Sequence, residues 1–171
     1  VATGDQLALV AALAFTTVSF GEVSHAAANP PPQTKVDISD IDLASEQGRQ
    51  ELHRRIAAHL VAGRALPDSV APHWAGAAEW RLAGDAYAAA ARRAREASQR
   101  THEVECWRRA GTAFDQAGAA DAAFDARCES IHALIVVHGV THAHTVIDGL
   151  LATAGTDAQR AAALTAKATA A

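Results

Sequence analysis

Histidines crowd one stretch of the chain. His132, His138, His142 and His144 fall between Ile131 and Val146, and imidazoles at that density can bind zinc, nickel or copper. The spacing works against a shared site, because Gly139 lies between His138 and His142 and no Asp or Glu is interleaved. Solvated or hydrogen-bonded imidazoles are the ordinary reading. A metal site of His138, His142 and His144 is the minor alternative, and no cofactor is expected.

A second group, His102, Glu103 and Glu105 beside Trp107, has the residue types of acid–base chemistry. That chemistry needs a closed pocket to perturb pKa values and position a substrate. Here the charges fall on what the pattern makes the outer side of a helix, so a solvated face is expected. Cys106 and Cys128 form no CxxC and sit within helical patterns, which reads as buried free thiols rather than a disulfide or zinc knuckle.

Arginines make the densest positive patch: Arg92, Arg93, Arg95, Arg100, Arg108 and Arg109. Arg92, Arg95 and Gln99 share a helical stripe, and Arg108 and Arg109 come from the following helix. These five form a candidate binding set able to converge on a carboxylate or phosphate. Solubility alone also explains them and is the more ordinary reading in the absence of any motif. No Ser-His-Asp set, nucleophile elbow or G-x-x-x-x-G-K-[ST] phosphate loop occurs in the chain, so no enzymatic activity is expected.

The elements that would carry these residues are helices. Trp80, Ala83, Tyr87, Ala90, Ala94 and Ala97 are spaced 3,4,3,4,3, one face of a helix. The pattern restarts with Val104, Trp107, Ala110, Phe114 and Ala117, stops at Gly118, and resumes with Ala120, Phe124, Cys128 and Ile131. Upstream, a helix from about Leu43 through Ile56 and Leu60 closes at Gly63, placed to take a left-handed conformation, and a short helix runs from Asp68 towards Ala75. Downstream, helices end at His138 and Ala154. The capping box Thr156-Asp-Ala-Gln159 opens a last helix to Ala170, with Ala161, Leu164 and Ala168 on its packing side. Lys35 to Leu43 alternates Val36, Ile38 and Ile41 with polar residues, which permits a short strand or a tether pinned by apolar anchors.

The first residues read as a short helix, Gln6 to Ala14, and a second opened by the capping box Ser19-Phe-Gly-Glu22 and ended by Asn29-Pro30-Pro31-Pro32. The apolar run Leu7 to Val18 lacks the preceding positive charge of a signal peptide and is short of about 20 apolar residues for a membrane span. The chain starts at Val1 rather than Met, as a piece of a longer protein would.

The chain has 171 residues, 50% of them hydrophobic but only 5% aromatic, and a formal charge of −4. Alanine-rich, close-packed helices suit that composition better than a thick core. The expected fold is all-α. The weak acidity argues against nucleic acid as a bulk electrostatic partner.

Trp107-x2-Ala110-Gly111-x2-Phe114 followed by Ala123 resembles the tetratricopeptide signature, and Trp80-x2-Ala83-Gly84-x2-Tyr87 is a second copy of its first half. The offset, 107 − 80 = 27, is short of the roughly 34-residue period, so the resemblance is to a degenerate array. It implies that Trp80, Gly84, Tyr87, Trp107, Gly111, Phe114 and Ala123 are packing residues, with Gly111 at a contact too close for a side chain.

Arg49-Gln-Glu-Leu-His-Arg-Arg-Ile-Ala-Ala-His-Leu60, then Val70-Ala-Pro-His-Trp74, then Ala83-Gly-Asp-Ala-Tyr-Ala-Ala-Ala-Ala-Arg-Arg-Ala94 resembles the junction in bacterial STAND-type signalling ATPases, including LuxR-type regulators and ATPase-linked adenylate cyclases. The resemblance covers roughly residues 47–118. It implies an N-terminal helical segment and linker at 1–43, a remnant of a winged-helix or arm region, and tetratricopeptide-like stacked antiparallel helical hairpins at 44–171. The function implied is a non-enzymatic sensor or scaffold. Its partner would be a protein segment or small effector, with no direct nucleic acid and no membrane, in the cytoplasm. The alternative is a metal- or small-ligand-binding helical bundle using His132 to His144.

Overall fold

The structure, a computed structural model, describes residues 35–170; the two helices expected before Asn29 and the Pro30–Pro32 stop lie outside that range. Seven helices follow one another: α1 Glu46–Ala62, α2 Pro67–Gly76, α3 Trp80–Glu96, α4 Arg100–Gln116, α5 Ala120–His138, α6 Val140–Thr153 and α7 Asp157–Thr169. Among the described residues no strand forms, and the fold is all-α. No helix there is long and apolar enough to cross a membrane.

Residues 35–43 are the tether rather than the strand. Arg55 of α1 explains why: its guanidinium takes both carboxylate oxygens of Asp40, at 2.7 and 2.6 Å, and the Asp37 carbonyl oxygen at 2.8 Å. Bidentate pairing of this kind fixes orientation as well as position. Val36, Ile38 and Ile41 are half-buried beneath it.

Four of the turns that follow are built alike. After α1, α2, α3 and α4 the residues Arg64, Ala78, Ser98 and Gly118 take positive φ, between 54° and 67°. In each, the next amide donates to the carbonyl five residues earlier: Ala65 to Leu60, Glu79 to Trp74, Gln99 to Ala94 and Ala119 to Phe114, at 2.8–2.9 Å. This is the Schellman arrangement, which satisfies the last helical carbonyls. The left-handed residue after α1 is Arg64, not Gly63, whose φ is −78°.

Joined by such turns, the 17-residue helices α3 and α4 give a regular step. Helices start at residues 80, 100, 120 and 140, one every 20 residues (100 − 80), so Tyr87 and Trp107 hold the same place in successive helices. Ala83, Glu103 and Ala123 do likewise, as do Ala94, Phe114 and Leu134; all eight are buried. The two W-x2-A-G-x2-aromatic stretches, offset by 27, therefore do not occupy equivalent places. Trp80 is the half-buried first residue of α3, whereas Trp107 lies in the middle of α4 and is buried.

Packing follows the chain, each helix lying on the next, with α5 also touching α7. Two cores result. Tyr87, Trp107 and Phe114, set among alanines of α3 to α5, make the first, and Phe124, Ile131, Leu134, Ile147 and Leu150 make the second. The last helix is turned from its expected side: Ala163 and Ala170 are buried, Ala166 is half-buried, and Leu164 faces out. The Thr156 half of its capping box forms, with the Gln159 amide donating to Thr156 Oγ1 at 3.1 Å, while Gln159 Oε1 accepts from the Gly155 amide one residue before the cap rather than from Thr156.

Candidate functional site

The five residues read as a binding set are not brought to one anion. Arg95 donates to Glu103 Oε1 at 2.6 Å and to Glu129 Oε2 at 2.9 Å, while Arg108 and Arg109 both close on Glu105 at 2.7–2.8 Å. Those two arginines hold the Glu105 carboxyl down at about 2. Arg92 lies over the Trp107 ring, 5.6 Å from its centroid, and Arg95 over the same ring at 5.8 Å. Gln99 is the exposed residue before α4. Carboxylates from α4 and α5 thus occupy Arg95, Arg108 and Arg109, while Arg92 lies on the Trp107 ring.

Glu103 departs most from the sequence reading. It is fully buried, where a solvated face was expected, and it accepts from Arg95 Nε at 2.6 Å and Arg100 Nη1 at 2.7 Å. Burial opposes its charge, and the two arginines outweigh burial and keep its pKa below the ordinary carboxylate value. The clue in the sequence was Arg100 three residues before it, within reach on a helix.

Among the packing residues, the close approach belongs to Gly84. A Cβ there would lie 2.5 Å from Phe114 Cε1, whereas at Gly111 the nearest atoms are Arg127 Cγ at 3.6 Å and the Ala123 carbonyl oxygen at 3.8 Å, ordinary contact. Gly111 is buried but has room for a methyl group.

The histidine stretch yields one pair. His138 and His142 have ring centroids 5.3 Å apart and are exposed with His132. His144 is half-buried, and its Nε2 has no partner. No group of three ligands forms from these residues, because α5 ends at His138 and the Gly139 turn redirects the chain. Among the described residues one such group exists elsewhere: Asp68, His102 and Cys106. His102 Nε2 is 3.1 Å from Asp68 Oδ1 and 3.6 Å from Cys106 Sγ, and Sγ is 3.8 Å from Oδ1. Asp68 opens α2, and His102 and Cys106 stand one turn apart near the start of α4. Burial, with Asp68 beside it, pushes the Cys106 thiol up to about 11. Cys106 and Cys128 are both free thiols, the first buried and the second half-buried.

A further histidine pair joins α1 to α2. His53 Nδ1 and His73 Nδ1 are 3.0 Å apart, which requires one ring to donate and the other to accept. Burial first and the His53 charge second lower the His73 pKa.

The surface also has an open hollow of about 520 Å³, walled by Arg95, Arg100, Asp125, Glu129 and His132 and floored by Cys128, Ile131 and Ala166. Its lining comes from α3, α4, α5 and α7. Comparison of the chain with protein-family models, with curated proteins and with solved structures finds no match.

Proposed function

We propose that the chain is a non-enzymatic helical scaffold of tetratricopeptide-like stacked hairpins that holds a protein segment or small effector and reports it to an output domain of a larger signalling or transcription-regulating ATPase. The observation that supports this is the 20-residue step from α3 to α6, in which each helix packs on its neighbour in the chain. Stacks of this kind are stabilised by nearest-neighbour interfaces and offer extended surfaces to partners. The step differs from a tetratricopeptide in length: two helices take 40 residues (120 − 80) rather than about 34. The ATPase connection rests on the residue order from Arg49 to Ala94, and a cytoplasmic setting goes with it.

The hollow between α5 and α7 is the binding surface in this reading, with an apolar floor for side chains and charges of both signs on its walls. A displayed peptide library panned against the chain tests it. Selected peptides should bind the parent and lose affinity at least about tenfold in Ala166→Arg, a loss of 1.4 kcal/mol, while circular dichroism stays unchanged. Peptides that bind the variant as well as the parent would remove the hollow from the proposal. The alternative of a metal-binding bundle built on His138, His142 and His144 loses support from the separation of those residues, and metal chemistry moves to Asp68, His102 and Cys106.

A further inference from the structure

We infer that Asp68, His102 and Cys106 form a site for a divalent transition metal of the zinc class, which would join α2 to α4. In a tetrahedral zinc site the metal lies about 2.3 Å from sulfur, 2.0–2.1 Å from imidazole nitrogen and 2.0–2.2 Å from carboxylate oxygen. Those radii put the donor atoms about 3.6 Å apart for S···N, 3.3 Å for N···O and 3.5 Å for S···O. The corresponding distances here are 3.6, 3.1 and 3.8 Å. The three spacings are each within about 0.3 Å of those a tetrahedral site requires.

The contacts favour this reading over a nucleophilic Cys-His-Asp relay. In a relay the imidazole receives the thiol proton on one nitrogen and is held by the carboxylate through the other. Here Asp68 Oδ1 and Cys106 Sγ both make their shorter contact with Nε2, at 3.1 and 3.6 Å, and Sγ lies 3.9 Å from Nδ1 as well. Charge fits as well, since a carboxylate and a thiolate together balance a divalent cation. His102 and Asp68 are 45% and 37% exposed while Cys106 is buried, so the fourth corner faces solvent and would carry water.

Asp68 and Cys106 are 38 residues apart, with all of α3 between them. A metal bound there would fasten the first turn of α2 to α4 and resist separation of three successive helices. The inference stands on these three side chains and is independent of the scaffold reading.

The test is titration of the chelator-treated chain with zinc by calorimetry and with cobalt(II) by absorption. One equivalent should bind, the cobalt form should show thiolate charge-transfer and tetrahedral d–d bands, and zinc should raise Tm. Asp68→Asn and His102→Gln change exposed side chains and should keep the fold, yet each should weaken binding at least about tenfold. Cys128→Ser and the double variant His138→Ala/His142→Ala should bind as the parent does. Absence of a thiolate band in the parent, a band that survives His102→Gln and Asp68→Asn, or a band lost in Cys128→Ser would overturn the inference.

Discussion

Gly84 and Phe114 are a matched pair: the phenyl ring of α4 occupies the space where a side chain on residue 84 of α3 would be, with Cε1 2.5 Å from the position of a Cβ. Arg81 closes the other side of the ring at 5.5 Å from its centroid. The contact belongs to the pair of helices on which the first core is built.

Gly84→Ala should therefore destabilise the chain by about 1–3 kcal/mol through overpacking. Gly111→Ala, with its nearest neighbour 3.6 Å away, should be neutral or gain up to about 1 kcal/mol of helix propensity. Urea midpoints of the two variants against the parent decide the matter. Equal midpoints for Gly84→Ala and the parent would mean that Phe114 moves aside freely.

The helices were legible because apolar residues recur at three and four, and the periodicity survives an alanine-rich composition. Their register was not. Trp80 and Trp107 dominate the sequence and suggest an offset of 27, but the step is set by helix length and turn together, and of the left-handed turn residues Arg64, Ala78, Ser98 and Gly118 only the last is a glycine. The site was hidden for a similar reason. His102 and Cys106 show the spacing of one helical turn, whereas Asp68 is 34 residues from His102 and reaches it only through the packing of α2, α3 and α4.

The turns make a prediction of their own. A left-handed conformation costs a non-glycine residue roughly 1–2 kcal/mol, part of which glycine returns through the greater freedom it loses on folding. Ser98→Gly and Ala78→Gly should each stabilise the chain by about 0.5–1 kcal/mol, and Gly118→Ala should cost a similar amount. Tm should move by about 2–4 °C per kcal/mol for a chain of this size. A fall in Tm for Ser98→Gly would show that the Ser98 side chain contributes more than its backbone strain removes.

The tether should depend on one side chain. Arg55 holds Asp40 and the Asp37 carbonyl, and the guanidinium keeps the Asp40 carboxyl at about 2. Arg55→Ala should release residues 35–43 with little effect on the helices, since an exposed ion pair contributes little to global stability. Amide hydrogen exchange should become faster at Ser39 and Ile41 and stay unchanged in α3 and α4. Unchanged exchange at both would mean that Val36, Ile38 and Ile41 hold the segment without the arginine.

Glu103 fills a place that Ala83 and Ala123 fill in the neighbouring helices, fully buried in all three, and its carboxylate is held by Arg95 and Arg100. Glu103→Gln keeps the shape but turns an amide N–H2 towards guanidinium donors, leaving a buried donor without an acceptor at a cost of about 1–3 kcal/mol. Glu103→Ala should cost less. It restores the residue found one step away on either side, Arg95 keeps Glu129, and Arg95 and Arg100 are 37% and 30% exposed and can rehydrate. The sign with pH follows from the carboxyl being held below its ordinary value of 4.5. Its contribution is complete above the unfolded pKa and is lost as pH falls through the lower folded one. Below about pH 4.5 the parent should therefore lose stability faster than Glu103→Gln, and the gap between the two should narrow. The measurement is the urea midpoint of both chains from pH 7 to pH 3, in which the other carboxylates cancel. Parallel acid curves would show that Glu103 does not exchange its proton against the two arginines on unfolding.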